Sequence, residues 1–443
     1  MSSLKSRDSK HVFRSWTKQK RLNPVALAGG QGASFWDDND KVFLDFSSQM
    51  VNLNMGHQHP MIIDAMKEQL EKFATCSQVY TTEVRVKAAT MIAERTPGDL
   101  NKIFFTNAGS DAVEHALRIA RVVTGRQKVM SMHKSYHGAT AGTLSVTGDP
   151  RRWHAEPGVP GVVRFFGPYL YRSSFYSESA EQECERAIFH IEELVKYEGP
   201  DSIAAILVEP IVGSNGILVP PEGYLPKIRQ ICDRHGIMLI CDEVMSGFGR
   251  AGHWFAINKW SVEPDLIAFA KGVNSGYVPL GGVAISEQVA SYFDERYFAG
   301  GGTYYGHPLA CAAAIGSMKA FESENILGNS RNHGERVIGP KLLEMKKRHP
   351  SIGDIRGTAL FWGIELVQDN LNKMPFLTYG ESPKSDNPLS LIKKKCAEHG
   401  VSILISMNVL FITPPLIISE EDLIRGLNVI DEALFISDQN MKG

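Results

Sequence analysis

The chain has 443 residues, more than one ordinary hydrophobic core accommodates, so we expect two domains, or three. Its content of 43% hydrophobic and 22% charged residues is typical of a soluble globular protein, and no apolar run approaches a membrane span. The net charge of −2 argues against binding to nucleic acid or to an anionic membrane. The six scattered cysteines and the polar amino terminus, which resembles no signal peptide, predict a cytoplasmic protein.

Residues 1–60 are predicted to form an arm and a hairpin that pack with a smaller domain elsewhere in the chain. The turn cluster Asp-Asn-Asp separates two apolar runs at 34–37 and 41–46, which indicates a hairpin. Apolar residues at helical spacing then predict amphipathic helices at 61–73 and at about 82–96.

Strands and helices alternate in the following part, which is typical of a mostly parallel sheet covered by helices on both faces. We predict strands near 102–106, 128–132, 203–208, 237–241, 265–270 and 281–285, and helices near 109–123, 180–197, 222–235 and 287–293. These elements define a large α/β domain at 61–325 with a seven-stranded type of central sheet. The stretch 148–178 is too long for a connector and is expected to be functional.

Residues 326–443 are predicted to form a smaller α+β domain, after a helical pattern at 308–323. We expect helices near 332–348, 389–399 and 419–435, and strands near 354–356, 360–366 and 409–412. The polar stretch 371–388 is expected to be an exposed loop.

Two predicted strands end in residues that carry chemistry. Lys271 follows the apolar run from Leu266 to Ala270, and Asp242 ends the equivalent run that begins at Ile237. Open parallel sheets bind ligands at the carboxyl ends of their strands. A lysine and an aspartate at that edge suit an aldehyde cofactor whose ring nitrogen needs a counter-ion, namely pyridoxal 5′-phosphate (PLP). Taken alone, Lys271 is also compatible with a solvated residue at a strand end.

Two further turns suit the same cofactor. Gly109 and Ser110 lie between a predicted strand and a predicted helix, where free N–H groups and a hydroxyl favour a phosphate. Tyr136 follows the next strand and offers an aromatic face for a flat ring, although a core tyrosine is the alternative. The pair His57 and His59 has no further ligands at useful spacing, so we expect no metal site.

Together these motifs resemble the class III aminotransferases, PLP enzymes of fold type I. The resemblance extends from about residue 25 to residue 430 and rests on six motifs in the family's order: Thr106 to Ser110, Tyr136 to Gly138, Glu209 with Pro210, Asp242 to Arg250, Ala270 to Gly272, and Gly302 to Pro308. The most specific of these are the run from Asp242 to Arg250 and Lys271.

The resemblance implies a role for each matching residue. Lys271 would hold PLP covalently and then move the proton, while Asp242 would pair with the ring nitrogen. The other residues that would contact the cofactor are Gly109 and Ser110 at the phosphate, Tyr136 and Val244 on the two ring faces, and His137 and Glu209 nearby. Thr303 would reach the phosphate of a neighbouring subunit, so a homodimer is expected.

Three departures from the resemblance concern the substrate. Relatives that act on 4-aminobutyrate and ornithine carry an arginine at the position of Ala139, a second arginine at Phe411, and a glutamate at Ser214. Because all three are missing here, those two activities are not expected. A 2-oxo acid acceptor needs a cation, and the 148–178 segment supplies Arg151, Arg152, Arg164 and Arg172. The segment around Arg164 resembles the taurine:2-oxoglutarate aminotransferase branch, and Arg164 is favoured as the residue that binds the substrate anion. Residues predicted to line the pocket are Phe35, Met50, Leu53, Tyr80, Trp254, Phe411 and the partner chain's Tyr304.

The sequence therefore predicts transfer of an amino group from an ω-amino acid or short amine, with taurine favoured, to 2-oxoglutarate or pyruvate. Two alternatives stay open. One is mutase, racemase or decarboxylase chemistry on the same cofactor, because the fold does not choose the bond that breaks. The other is a non-catalytic, PLP-binding regulatory protein, against which the intact Lys271 and Asp242 argue.

Overall fold

A computed structural model of the chain describes residues 4–21 and 23–442. Its strands are β1 (Leu27–Gln31), β2 (Ser34–Asp37), β3 (Val42–Asp45), β4 (Lys102–Thr106), β5 (Lys128–Met132), β6 (Val162–Phe165), β7 (Ile203–Val208), β8 (Met238–Asp242), β9 (Leu266–Phe269), β10 (Gly281–Ile285), β11 (Ile352–Thr358), β12 (Phe361–Asp369), β13 (Met374–Pro375), β14 (Val401–Ser402), β15 (Leu404–Ser406) and β16 (Val409–Ile412).

The helices are α1 (Leu4–His11), α2 (Ser48–Val51), α3 (Pro60–Lys72), α4 (Glu83–Ala93), α5 (Gly109–Thr124), α6 (Ala141–Val146), α7 (Ala180–Glu198), α8 (Tyr224–His235), α9 (Glu287–Ser291), α10 (Pro308–Ser323), α11 (Ile326–His333), α12 (Gly339–Arg348), α13 (Pro388–Glu398) and α14 (Glu420–Asp438). A π-turn at Gly334–Ile338 joins α11 to α12. Short 3₁₀ turns lie at Gln19–Arg21, Pro150–Ala155, Leu170–Arg172, Pro200–Ser202, Ala256–Trp260 and Lys271–Val273. Among the described residues, no helix is both long and apolar enough to cross a membrane.

The central sheet has seven strands in the order β4-β10-β9-β8-β7-β5-β6. All neighbours from β9 to β6 pair in parallel, whereas β10 runs antiparallel to both β4 and β9. The predicted α/β fold with a mostly parallel, seven-stranded sheet is therefore confirmed, with β10 as its antiparallel strand. Every residue of β7 is buried, as expected for a strand covered on both faces.

Alternate residues of the central strands enter two separate cores. Ile206 packs in the core on the face covered by α7 and α8, and its neighbour Leu207 packs in the core under α5. Because side chains alternate across a strand, the sheet is the partition between these cores. This rigid partition positions the loops at the carboxyl ends of its strands.

The amino-terminal hairpin is joined to the carboxyl-terminal part of the chain. Its strands β2 and β3 pair antiparallel, and β3 pairs in parallel with β14. A third core combines Phe46 near the amino terminus with Leu427 and Ile430 of α14. These contacts support the prediction that residues 1–60 pack with the smaller domain, although the boundaries at 60 and 325 stay predictions.

Two segments differ from their sequence-based description. The stretch 148–178 contains the edge strand β6, which local proline, glycine and arginine residues obscure in the sequence. The stretch 371–388 is not only an exposed loop, because Leu377 is buried and Tyr379 lies against Trp153.

Candidate active site

Two neighbouring parallel strands deliver a carboxylate and a lysine to one edge of the sheet. β8 ends at Asp242, which lies opposite Ala268 of β9, and Lys271 follows β9 by two residues. Lys271 has a φ of 44°, in the left-handed region that residues other than glycine rarely adopt. Such strained residues cluster at functional sites, where the surrounding structure holds them in place.

The Asp242 carboxylate is buried and fixed from two directions. Nδ1 of the buried His137 lies 2.8 Å from Asp242 Oδ2, and the Val244 backbone N–H donates to Oδ1 at 3.0 Å. These bonds determine the orientation of the carboxylate. The other ring nitrogen of His137, Nε2, is buried without a hydrogen-bond partner among the described residues.

Lys271 lies beside two carboxyl groups but is bonded to neither. Its ammonium forms no hydrogen bond or ion pair within residues 4–21 and 23–442. Burial lowers the pKa of Lys271, with Arg151 and Arg250 acting in the same direction, while Asp242 and Glu209 oppose the shift. A lowered pKa leaves more of the amine neutral, which is the form that attacks a carbonyl and accepts a proton.

Glu209 connects the loops that follow two strands of the sheet. Its Oε1 accepts from the Tyr136 N–H at 3.0 Å, and its Oε2 accepts from the Gly213 N–H at 2.8 Å. Burial, with help from Asp242, raises the pKa of Glu209 to about 7. Glu209 therefore fixes the backbone that carries the Tyr136 ring.

The amino-terminal end of α5 forms an uncapped turn near Val244. No side chain in the described part of the chain caps this end of the helix, so its first N–H groups are free to bind an anion. A Cβ added at Gly109 would lie 2.7 Å from Val244, so glycine is required for this close approach. Ser110 Oγ lies beside the turn and accepts from the Ala139 N–H at 3.2 Å.

A cation that the sequence analysis did not select covers the Tyr136 ring. The Arg151 guanidinium carbon lies 3.5 Å from the ring centroid. The buried Asp149 carboxylate accepts from Arg151 Nε at 2.8 Å and also from Nη2, and Ser214 Oγ lies 2.8 Å from Nη2. Arg151 Nη1 has no hydrogen-bond partner in the described part of the chain, so this edge of the guanidinium can bind an anion.

Arg164, the predicted anion-binding residue, has a different environment. It lies on the edge strand β6, and its Nη2 donates to the Ser145 carbonyl at 2.5 Å. Burial and the neighbouring Arg152 lower its pKa. The structure thus brings Arg151, and not Arg164, against Tyr136.

The predicted pocket residues fall into two groups. Met50, 48% exposed, lies in α2, and the buried Leu53 follows that helix. The buried Phe35 stacks on Phe43 of the hairpin with ring centroids 5.2 Å apart. Trp254 and Phe411 lie in packed regions: Trp254 contacts Phe321 and Arg95, and Phe411 is fully buried in β16. A substrate role for any of these residues stays a prediction.

Thr303 lies in a segment that faces solvent in the single chain. The neighbouring Tyr304 is 65% exposed, while Gln78 donates to the Gly302 carbonyl and Arg85 donates to the Gly306 carbonyl at 3.1 Å. The segment is therefore held at both ends and presents its middle outward.

A second buried carboxyl group next to Asp242 predicts a pH-dependent stability. Burial raises the pKa of Glu243 from 4.5 to about 7. Between these two pH values the folded chain keeps the proton and the unfolded chain releases it, so the free energy of unfolding falls as the pH rises, and levels off above 7. Glu243 accepts from the Ile257 N–H at 2.8 Å and from Ser246 Oγ.

We expect Glu243→Gln to reduce this fall by an amount on the order of 1–3 kcal/mol. The measurement is the thermal unfolding midpoint from pH 5 to pH 8, with Glu222→Gln as control, because the Glu222 side chain is 79% exposed. The stability of the variant should still fall as the pH rises, but less steeply, because Glu209 keeps its own contribution. Equal slopes in the variant and the wild type would contradict the prediction.

Comparison with known proteins gives the family. The family model for class-III aminotransferases matches residues 16–434. The chain is 36% identical to the 5-aminovalerate aminotransferase of Pseudomonas putida over 93% of this chain and 94% of that protein. It is 34% identical to the taurine–pyruvate aminotransferase of Bilophila wadsworthia over 83% of each protein. The chain therefore belongs to the class-III aminotransferase family.

The fold comparison agrees with this assignment and gives the cofactor. The structure matches the taurine:2-oxoglutarate aminotransferase from Bifidobacterium kashiwanohense, solved with PLP and glutamate, with a TM-score of 0.95 and 36% identity over 99% of this chain and 98% of that chain. The protein is an aminotransferase whose cofactor is PLP.

The site suits that cofactor on its own geometry. Lys271 offers an unpartnered amine, Asp242 an oriented carboxylate, and α5 an uncapped helix end. These three groups match the aldehyde, the ring nitrogen and the phosphate of PLP respectively. Their individual roles are proposals.

Proposed function

We propose that this aminotransferase takes its amino group from a short donor with a distal anion, taurine or a similar ω-amino acid, and transfers it to 2-oxoglutarate or pyruvate. The observation that carries the proposal is the Arg151 guanidinium stacked on Tyr136, in the same site as Lys271. The similarity to two enzymes named for taurine supports it.

Arg151 supplies a fixed cation for the distal group of the donor. Asp149 and Ser214 hold its Nε and Nη2, so its orientation does not depend on the substrate. The free Nη1 donates to a sulfonate or carboxylate oxygen, and such charge-assisted hydrogen bonds are the strong ones. Preorganisation of this kind reduces the entropy lost on binding.

The missing residues of the 4-aminobutyrate and ornithine relatives agree with this role. Where the resemblance places the glutamate of those relatives, this chain has Ser214, and Ser214 binds Arg151. It places their second arginine at Phe411, which here is fully buried and uncharged. We therefore assign the cation that binds the substrate to Arg151 in the 148–153 segment.

PLP, when bound, supplies an aldehyde that takes up the donor's amino group and a ring that delocalises the electrons left after proton loss. Lys271 Nζ attaches the cofactor and then moves the proton between the amine-bearing carbon and the cofactor, which its lowered pKa permits. Asp242, oriented by His137, keeps a negative charge at the ring nitrogen.

The exposed segment around Thr303 supports assembly as a homodimer with active sites at the interface. Tyr297 is 91% exposed and Tyr304 65% exposed, so this segment presents two aromatic side chains that a partner subunit would bury. Sedimentation of the holoenzyme as a monomer at micromolar concentration would contradict this. A cytoplasmic location stays a prediction from the sequence.

The donor class is tested with the holoenzyme in single half-reactions. Taurine, β-alanine, 4-aminobutyrate and an aryl amine are added one at a time without a 2-oxo acid, and the absorbance of the bound cofactor is followed. We expect taurine to convert the aldehyde form of the cofactor to the amine form. Conversion by the aryl amine alone would show that the pocket is apolar, and turnover without any co-substrate would indicate mutase, racemase or decarboxylase chemistry.

A further inference from the structure

A cavity of about 320 Å³ lies behind the wall of the active site. It is lined by Lys134, Trp153, Tyr169, Arg172 and Tyr379, among others. Its size is within the range of sites that hold small organic ligands. The proposed amino-group transfer uses none of these side chains.

The wall between the cavity and the active site is the segment 148–153, and its two faces differ. Asp149 and Arg151 point to Tyr136 and Ser214, whereas Arg152 and Trp153 line the cavity. A ligand in the cavity would therefore contact the back of the segment that fixes Arg151.

The cavity contains donors that the chain leaves unsatisfied. Lys134 Nζ lies 5.3 Å from the Tyr169 ring centroid and 5.2 Å from that of Tyr379, and it forms no hydrogen bond or ion pair within the described residues. Arg172 uses Nε on Glu365 and Nη1 on the Lys373 carbonyl, but its buried Nη2 has no partner there. A buried donor without a partner, such as Arg172 Nη2, is rare in folded proteins. The half-buried Lys134 ammonium lines the same cavity and is the donor that an anionic ligand there can reach.

The local charge is positive around Lys134. The Glu365 carboxylate is shared by Arg172 at 2.5 Å and Arg356 at 2.8 Å, and Arg152 pairs with Glu156. Burial lowers the pKa of Lys134, Arg172 and Arg356 add to that shift, and Glu365 opposes it. Arg356 also pairs with Asp354 at 2.8 Å, so the Lys134 ammonium is the cation left without a carboxylate partner among the described residues. An anion beside Lys134 would supply that missing charge.

We propose that this cavity binds a small organic carboxylate. Its charge is met by Lys134 Nζ beside the Arg172 guanidinium, and its apolar body lies among the rings of Trp153, Tyr169 and Tyr379. Aromatic walls favour an aromatic or otherwise flat apolar body, whereas a fully polar dianion would leave these faces unused.

Benzoate, titrated into the PLP-loaded enzyme by calorimetry, tests the proposal. We expect saturable binding that Lys134→Met weakens at least about tenfold, as for loss of one hydrogen bond to a charged group. Binding should be kept in Lys373→Met, the matched control for an exposed lysine beside the cavity, and in Arg151→Met, which removes the cation of the active site.

Three results would overturn the proposal. These are the absence of saturable binding, unchanged affinity in Lys134→Met, and loss of binding in Arg151→Met, which would place benzoate in the active site. If Lys134→Met does not fold, Tyr379→Leu decides the question, because this loop residue contributes one wall. The expected weakening for Tyr379→Leu is about threefold to tenfold, and unchanged affinity would count against the site.

Discussion

Replacing Lys271 by alanine is expected to lower kcat for amino-group transfer by about 10²–10⁴-fold or more, because the group that moves the proton is lost. The variant should also lose the covalent attachment of the cofactor. Borohydride reduction followed by mass spectrometry measures this directly: the wild type should retain PLP on the peptide that contains Lys271, and the variant should release it.

Lys128→Ala is the matched control for Lys271. Lys128 begins β5 at the opposite edge of the same sheet, where it pairs with Glu198 at 2.8 Å. Its replacement should leave the attachment and kcat unchanged. Transfer by Lys271→Ala within tenfold of the wild-type rate would show that another group moves the proton.

Replacing Asp242 by asparagine is expected to lower kcat by about 10²–10³-fold, comparable to the loss of one preorganised electrostatic group. The amide keeps the size of the side chain but removes the charge that faces the ring nitrogen. It also presents His137 with an uncharged partner in place of the carboxylate 2.8 Å away. Steady-state kinetics with taurine and 2-oxoglutarate measure the effect.

The Asp242→Asn variant should still attach PLP through Lys271, so its reduced peptide should carry the cofactor as in the wild type. This separates loss of electronic function from loss of binding. Asp201→Asn serves as control, because the Asp201 side chain is 97% exposed. A variant that keeps full kcat while binding PLP would refute the role of Asp242.

The catalytic edge of the site could be predicted because its signals are local. A short apolar run followed by Asp242 or Lys271 indicates a strand end, and parallel strands deliver such residues to one edge. Helix α5 and its glycine turn are equally visible in consecutive residues. The α/β fold was predictable for the same reason.

Arg151 could not be selected from the four candidate arginines because its position depends on residues distant in the sequence. Ser214, which binds its guanidinium, lies 63 residues away, and nothing in the sequence pairs them. Four arginines occur in the 148–178 segment, and only the folded chain shows which of them covers Tyr136. Lys134 was missed similarly, because Tyr379 reaches it from a loop predicted to be exposed.

The edge strand β6 was missed for a different reason. An edge strand buries less apolar surface than a central one, and Arg164 interrupts its hydrophobic pattern. Strand pairing with β5 overrides these local signals. The bounds of the interior strands β5, β7 and β10 agree with the sequence because hydrophobic burial dominates there, and those of the other edge strand, β4, agree because its apolar run at 103–105 is uninterrupted.

The most direct test of the proposed substrate recognition compares two arginines in the taurine half-reaction. The rate of cofactor conversion is measured against taurine concentration for the wild type, Arg151→Met and Arg164→Met. We predict that Arg151→Met raises the apparent dissociation constant of taurine by about 10–100-fold, as for a lost hydrogen bond to a charged group. The dissociation constant for Arg164→Met should stay within about twofold of the wild type. The reverse pattern, with Arg164→Met impaired and Arg151→Met unchanged, would contradict the assignment of Arg151 as the residue that binds the donor's anion.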